Sequence, residues 1–122
     1  MKVREAIDRI DSLKHNTYTY AEKVEWLSTL DGLIKDQIID THEDDEYVSF
    51  AGYTEEDMDM ELMVAAPYDV IYIRWLEAQI DYYNGEIARY NNSMMMYQTA
   101  YDTYQRYYNR THMPKGQKMK YF

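Results

Sequence analysis

Cysteine is absent from this chain of 122 residues, and glycine and proline are scarce, with four and two copies. The lack of cysteine excludes disulfide bonds and thiolate metal sites, and it is typical of a protein made in a reducing compartment. Because residues that break regular structure are so few, the chain is predicted to be mostly helical. Its length fits one domain with a modest core and is too short for a large enclosed active site.

Long apolar runs are also lacking. The first residues, from Met1 to Glu5, carry charges every few positions and contain no apolar core. This pattern is not that of a signal peptide, and no stretch approaches the length that a membrane span needs. We therefore expect a protein that is made in the cytoplasm and has no membrane partner.

Basic residues are missing from the middle of the chain. Between Asp36 and Ile73 there are twelve acidic residues and no lysine or arginine, whereas seven basic and four acidic residues follow from Arg74 onward. The net charge of −9 and the lack of a broad basic face argue against a general nucleic-acid binder. The asymmetry favours either copies that meet head to tail or a basic tail that docks on another acidic protein. The alternative is a solvated acidic loop and a frayed tail.

The longest regular pattern lies between Pro67 and Asn109. Apolar and aromatic side chains recur there in alternating steps of three and four, at Ile73, Leu76, Ile80, Tyr83, Ile87, Tyr90, Met94, Tyr97, Tyr101, Tyr104 and Tyr108. This spacing predicts a helix with one apolar stripe. Asn84-Gly85 is a turn dipeptide and Asn91-Asn92-Ser93 is poor helix material, so a hairpin of two antiparallel helices broken at one of these places is the alternative. The unbroken spacing favours one continuous helix over 67–109.

Two shorter helices are predicted before this stretch. Thr19 and Glu22 form a capping-box pattern at the start of the second helix, and Gly32 inside it indicates close approach by a neighbouring helix. Two short strands, at 47–50 and 60–64, are expected to pair as a small flap. The predicted fold is an all-α helical bundle built on one long C-terminal helix. Its single domain covers 1–114, with helices at about 3–14, 20–41 and 67–109, an irregular acidic loop or small β-flap at 42–66, and a flexible basic tail at 115–122.

Two acidic stretches are the candidates for a metal site. Asp57, Asp59 and Glu61 alternate along the chain, as do the oxygen ligands of calcium loops. Counted from Asp57, however, Leu62 and Tyr68 stand where such a loop needs glycine and glutamate. The other candidate runs from His42 through the acids of the loop. The three histidines, at positions 15, 42 and 112, lie far apart in the sequence, which argues against zinc. No metal or cofactor is predicted.

Catalytic patterns are not found either. Glu77 and Asp81 lie one helical turn apart, but on an exposed helix face they are expected to pair with Arg74 or a nearby lysine rather than to act as acid and base. We therefore predict that the protein is not an enzyme and has no catalytic residues.

The methionines at 94–96 and the tyrosines that follow admit two interpretations. Both residue types fill helix cores, and both are favoured on surfaces that fit a protein partner. The two interpretations are compatible if the first half of the long helix lies in the core and its second half at an interface.

Four stretches of the chain carry a family resemblance. They are Tyr20–Gly32, Pro67–Tyr72, Ile80–Asn92 and Tyr107–Pro114. They resemble a group of small proteins of tailed phages and prophages of Gram-positive bacteria, made beside the portal and capsid proteins. This group is in turn similar to the helical head–tail connector (adaptor) proteins. The heavy tyrosine content departs from the adaptor pattern.

The resemblance implies a virion structural protein, made in the cytoplasm of the bacterial host. Identical subunits would form a ring beneath the portal, extend the DNA channel without sequence-specific binding, and offer a platform to a further connector or tail protein. The loop would contact neighbours or face the channel, through Glu43, Asp44, Asp45 and Glu46. The tail and the tyrosine-rich half would bind partners, through Tyr97, Tyr101, Tyr104, Tyr108, Arg106, Arg110, Lys115, Lys118, Lys120 and Phe122. The alternative is a dimeric coiled-coil scaffold or regulator of phage origin.

Overall fold

The computed structural model describes residues 1–42 and 49–113. Four α-helices form in these ranges: α1 (Val3–Leu13), α2 (Tyr20–Gln37), α3 (Val70–Tyr83) and α4 (Ile87–Thr111). Short 3₁₀ turns lie at Ile39–Thr41 and Glu55–Asp57. The all-α helical bundle is therefore confirmed, and no strand is found in the part of the chain that the structure describes.

The first two helices follow the sequence pattern closely. Val3, Ala6, Ile7 and Ile10 of α1 are fully buried, although the last apolar position, Leu13, is 63% exposed. α2 begins after Thr19, whose hydroxyl oxygen accepts from the backbone N–H of Glu22 at 3.2 Å. The same hydroxyl donates to the Glu22 carboxylate at 3.1 Å. In a capping box, that carboxylate would instead accept from the backbone N–H of Thr19. The close approach expected at Gly32 is wrong, because a Cβ atom placed there would meet nothing within 4 Å.

The predicted continuous helix over 67–109 is wrong. α3 begins at Val70, after the turn that contains Pro67, and ends at Tyr83. Gly85 then takes a positive φ of 74° and α4 starts at Ile87. A residue with positive φ closes a helix end, and glycine adopts that conformation without steric cost.

The two C-terminal helices form an antiparallel hairpin. The Trp75 ring lies 4.9 Å from the Tyr97 ring, and Tyr68, just before α3, stacks on Tyr107 at 4.4 Å. Both halves of the apolar stripe face each other in this arrangement, so the hairpin buries apolar area that a straight rod would leave in water. The regular spacing continues through the break because the two helices present the same stripe to one core.

The predicted β-flap is not formed in the described residues. The segment expected as its second strand instead pairs with the N-terminus of the chain, since Val3 N donates to Met60 O at 3.0 Å and Leu62 N donates to Met1 O at 2.9 Å. Residues 47 and 48 of the first expected strand lie outside the described residues. The segment before α3 is thereby fixed along the start of α1.

A buried carboxylate anchors the same segment to the helices. Asp31 of α2 is fully buried and accepts hydrogen bonds from the Tyr53 hydroxyl, from the Tyr72 hydroxyl at 2.6 Å and from the Met63 backbone N–H at 3.1 Å. Burial raises the pKa of the Asp31 carboxyl, and the three hydrogen bonds oppose that rise. The tyrosine hydroxyls remain donors because burial and the nearby Asp31 carboxylate raise their own pKa values.

We predict a pH dependence of stability that depends on Asp31. Because its pKa is higher in the folded chain than the value of about 3.9 usual for aspartate, the folded chain holds the proton more tightly. The quantity to follow is the free energy of unfolding of the natural chain minus that of Asp31→Asn. This difference should fall as the pH rises from the pKa of Asp31 in the unfolded chain through its pKa in the folded chain. Urea unfolding across pH 3–8 measures this difference. Asp36→Asn, at an exposed position, is the control, and a difference that rises with pH would contradict the expected shift.

Two glycine substitutions should change stability in opposite directions. Gly85→Ala forces a side chain into the left-handed region and should lower the free energy of unfolding by about 1–2 kcal/mol. Gly32→Ala adds a methyl group in open space within α2 and should raise it by about 0.5–1 kcal/mol. Thermal or urea unfolding distinguishes them. A stabilising effect of Gly85→Ala would instead indicate a continuous helix through this position.

Candidate protein interface

Large apolar side chains are exposed where α3 turns into α4. Tyr82 and Tyr83 are 57% exposed and Ile87 is 72% exposed. Together with Tyr90 they line an open cavity of about 510 Å³. The Tyr82 ring lies 5.0 Å from Tyr83 and 5.3 Å from Tyr90, so the rings support one another. We call Tyr82, Tyr83, Ile87 and Tyr90 the turn surface.

The turn surface contains the two most exposed positions of the apolar stripe, Tyr83 and Ile87, together with the half-buried Tyr90 and the neighbouring Tyr82. Ile73, Leu76 and Ile80 on α3 are buried, as are the tyrosines at 97, 101 and 104 on α4. Tyr83 and Ile87, the stripe positions on either side of the bend, stay largely exposed. An exposed cluster of this kind is typical of a site that contacts another protein.

A buried ion pair fixes the position of the bend. The Lys14 ammonium group lies 2.5 Å from Asp81 Oδ1, while the Ser93 hydroxyl donates to Asp81 Oδ2. The Asp81 side chain is almost fully buried, whereas that of Lys14 is about one-fifth exposed. The exposed face expected for Asp81 is wrong, because Asp81 is buried. Of the two expected cations, Arg74 or a lysine, it pairs with a lysine, Lys14 at the end of α1, and it also accepts from Ser93 of α4. Tyr18 adds a hydrogen bond from its hydroxyl to Asn84 Oδ1 at 2.7 Å.

Beside the turn surface, a groove of about 410 Å³ runs between α2 and α3. Its lining, which we call the aromatic–acidic groove, consists of Glu22, Glu25, Trp26, Thr29, Trp75, Gln79 and Tyr83. The Trp26 and Tyr83 rings stack at 5.5 Å with an interplanar angle of 8°, and the Trp75 indole N–H donates to the Trp26 carbonyl oxygen at 2.8 Å. Tyr83 belongs to both surfaces, so the groove and the turn surface are continuous.

Three of the four tyrosines expected to bind partners lie in the core. Tyr97 packs on Trp75, the Tyr101 hydroxyl donates to Gln37 Oε1 at 2.6 Å, and Tyr104 is only 4% exposed. Burial raises the pKa values of Tyr97 and Tyr104. These rings pack within the chain, as the core interpretation expected. That they also bind partners stays a prediction.

The remaining candidate residues are dispersed. Tyr108 is half-buried, and Arg106 and Arg110 are exposed on α4. The other predicted positions lie outside the described residues, namely Glu43, Asp44, Asp45, Glu46, Lys115, Lys118, Lys120 and Phe122. Their roles in binding partners or facing a channel stay predictions.

Two histidines that are far apart in the sequence are neighbours in the fold. The His42 and His112 rings lie 6.4 Å apart, with Tyr108 stacked on His112 at 3.8 Å. His42 Nδ1 lies 2.6 Å from the Ile38 carbonyl oxygen and Nε2 lies 2.7 Å from Asn109 Oδ1. Both His42 nitrogens therefore have protein partners, and the pair ties the end of α2 to the end of α4.

The acids considered as metal ligands take separate partners. Asp57 accepts from the backbone N–H of Thr54 at 2.8 Å, Asp59 pairs with Arg4 at 3.3 Å, and Glu61 pairs with the N-terminal ammonium group at 3.1 Å. Over 1–42 and 49–113, no three histidine, aspartate or glutamate side chains lie close enough to hold one metal ion.

No protein-family model, curated protein or solved structure matches this chain. Among the helices of the described ranges, none combines the length and the apolar character needed to cross a lipid bilayer.

We predict that Lys14 is required to neutralise the buried Asp81 carboxylate. Lys14→Met leaves that charge without its cation and should lower the free energy of unfolding by about 3 kcal/mol. Adding Asp81→Asn to Lys14→Met should restore part of the loss, because the amide oxygen still accepts from Ser93. Urea unfolding measures both effects. Arg9→Met, at an exposed position of α1, is the matched control, and a loss for Lys14→Met no larger than that of the control would contradict the expected role.

Proposed function

We propose that this chain acts by assembling with other protein chains, as one subunit of an oligomeric ring at the head–tail junction of a tailed phage. The observation that carries the assembly step is the turn surface, where Tyr82, Tyr83 and Ile87 are open to solvent beside the half-buried Tyr90. The bend that presents them is fixed by the buried Lys14–Asp81 pair. Tyrosines and an isoleucine on a rigid support suit a protein interface, because little side-chain freedom is lost when they are covered.

The head–tail connector role rests on the sequence resemblance described above. Under this proposal the ring docks on the portal protein, offers its other face to a further connector or tail protein, and lets DNA pass without sequence-specific binding. A ring needs a heterologous interface, in which two different surfaces of each subunit meet. The turn surface is one such surface, and the acidic middle and basic C-terminal part of the chain supply charge complementarity for a second. The place of action would be the virion.

The alternative, a coiled-coil dimer, receives less support from the structure. It requires one long helix whose apolar stripe pairs with its twin. Here α3 and α4 cover most of that stripe within one chain, and only its central part is open. A scaffold function is compatible with self-association through the turn surface. It is not compatible with a parallel pair of continuous helices, because the helix is broken at the bend.

We predict that a charge placed on the turn surface prevents self-association. Ile87→Glu puts a carboxylate at the centre of this surface and should shift the light-scattering mass of the purified protein from a closed oligomer towards a monomer across a concentration series. Met95→Glu is the matched control, because Met95 lies on the same helix, is 70% exposed, and is outside the turn surface. Equal masses for Ile87→Glu and the natural chain, or a monomeric natural chain that added portal protein does not recruit, would contradict the proposal.

A further inference from the structure

The aromatic–acidic groove has the chemistry of a site for a basic side chain. Glu22 and Glu25 lie three residues apart on α2, so both carboxylates face the same side of the helix. Trp26, Trp75 and Tyr83 supply aromatic walls beside them. An ammonium or guanidinium group in such a groove is attracted both by the carboxylates and by the aromatic rings.

The carboxylates of the groove have no cation of their own in the described residues. Neither Glu22 nor Glu25 takes part in an ion pair there, whereas the nearest lysine in the sequence, Lys23, is buried against Asp11 at 2.7 Å. Glu22 accepts from the Thr19 hydroxyl, which orients its carboxylate without neutralising it. The groove is therefore a preformed negative site whose aromatic walls are held by the Trp75–Trp26 hydrogen bond and the Trp26–Tyr83 stack.

We infer that this groove docks the lysine side chains of the segment 115–120 from a second copy of the chain. The inference rests on the proposed assembly and names one of its contacts. Lys115, Lys118 and Lys120 are three of the seven basic residues that follow Ile73, and no acidic residue lies after Asp102. The segment is thus the most concentrated positive charge of the chain and complements the groove.

Chain geometry places the groove beyond the reach of Lys115 of the same chain. The groove is level with Tyr97 on α4, since Trp75 in its wall packs on that ring. From Tyr97 to Thr111 the helix rises about 21 Å away from the groove. Lys115 follows Thr111 by four residues, which span at most about 14 Å, so it does not reach back. Lys118 and Lys120 follow Thr111 by seven and nine residues, which span at most about 25 and about 32 Å, so the association of mixed variants is what distinguishes a second copy from the same chain.

The test exchanges the sign of the charge on the groove with that on the segment 115–120. The groove variant is E22K/E25K, the tail variant is K115E/K118E/K120E, and the swap variant carries all five substitutions. Sedimentation or light scattering at low ionic strength gives the apparent dissociation constant of each. We expect the groove variant and the tail variant each to weaken self-association about tenfold or more, equivalent to about 1.4 kcal/mol. The swap variant should recover it, and an equimolar mixture of the groove and tail variants should associate more tightly than either variant alone.

Two controls separate docking from a general effect of charge. D36K/D102K makes the same change of net charge as the groove variant at exposed acids towards the other end of the bundle, and it should leave the dissociation constant unchanged. E22Q/E25Q, a milder change, should weaken association less than the groove variant does. Thermal unfolding checks that every variant is folded.

The outcomes distinguish this inference from the proposed function. If Ile87→Glu prevents association while the groove and tail variants associate normally, the docking site is wrong and the assembly stands. Equal weakening by D36K/D102K, or no recovery in the swap variant, also overturns the docking site. If the natural chain is monomeric at every concentration and added portal protein does not recruit it, the proposed assembly and the docking site both fail. Recovery in the swap variant together with association of the mixture supports docking between copies.

Discussion

The packing of α3 against α4 is the interaction on which the rest of the structure depends. A chain of this size cannot cover a straight helix that carries an apolar stripe along its whole length, and water penalises every part left open. Reversal at Gly85 lets the stripe cover itself. Tyrosine suits the closed stripe because its ring fills the core while its hydroxyl reaches a polar partner at the edge, as Tyr101 does with Gln37. What the reversal leaves open is the bend itself.

Buried polar groups set how the other elements dock on this hairpin. Apolar stripes are non-directional and tolerate small shifts, whereas hydrogen bonds and ion pairs require particular atoms to meet. Asp31 joins α2, α3 and the segment before α3, and Asp81 joins the end of α1 to both helices of the hairpin. Removing one partner leaves a buried charge or donor unsatisfied, which costs more than the bond itself contributes. Each carboxylate thus fixes the register of three elements.

The spacing of apolar residues predicted the helices well, because the buried face of each helix is formed by residues three and four positions apart in the sequence. The hairpin could not be separated from a continuous helix on the same basis, since two helices that face one core keep the same spacing through their turn. The Asn84-Gly85 dipeptide was the signal that favoured the break. Long-range partners were beyond the sequence: nothing local shows that Asp31 and Asp81 are buried, that His42 meets His112, or that Trp26, Trp75 and Tyr83 line one groove. These features exist only once α2, α3 and α4 are packed.

Tyr83 connects the two surfaces on which the proposed assembly depends. Its ring stacks on Trp26 in the wall of the groove, and its exposed part lies beside Tyr82 on the turn surface. A partner that covers the turn surface therefore also shields one side of the groove from water, which strengthens the attraction between its carboxylates and a bound cation. By the reciprocity of binding free energies, a basic segment in the groove would favour the partner at the turn to the same extent. A subunit whose two contacts support each other in this way adds more readily to a growing ring than to a single neighbour, because only within the ring are both contacts made.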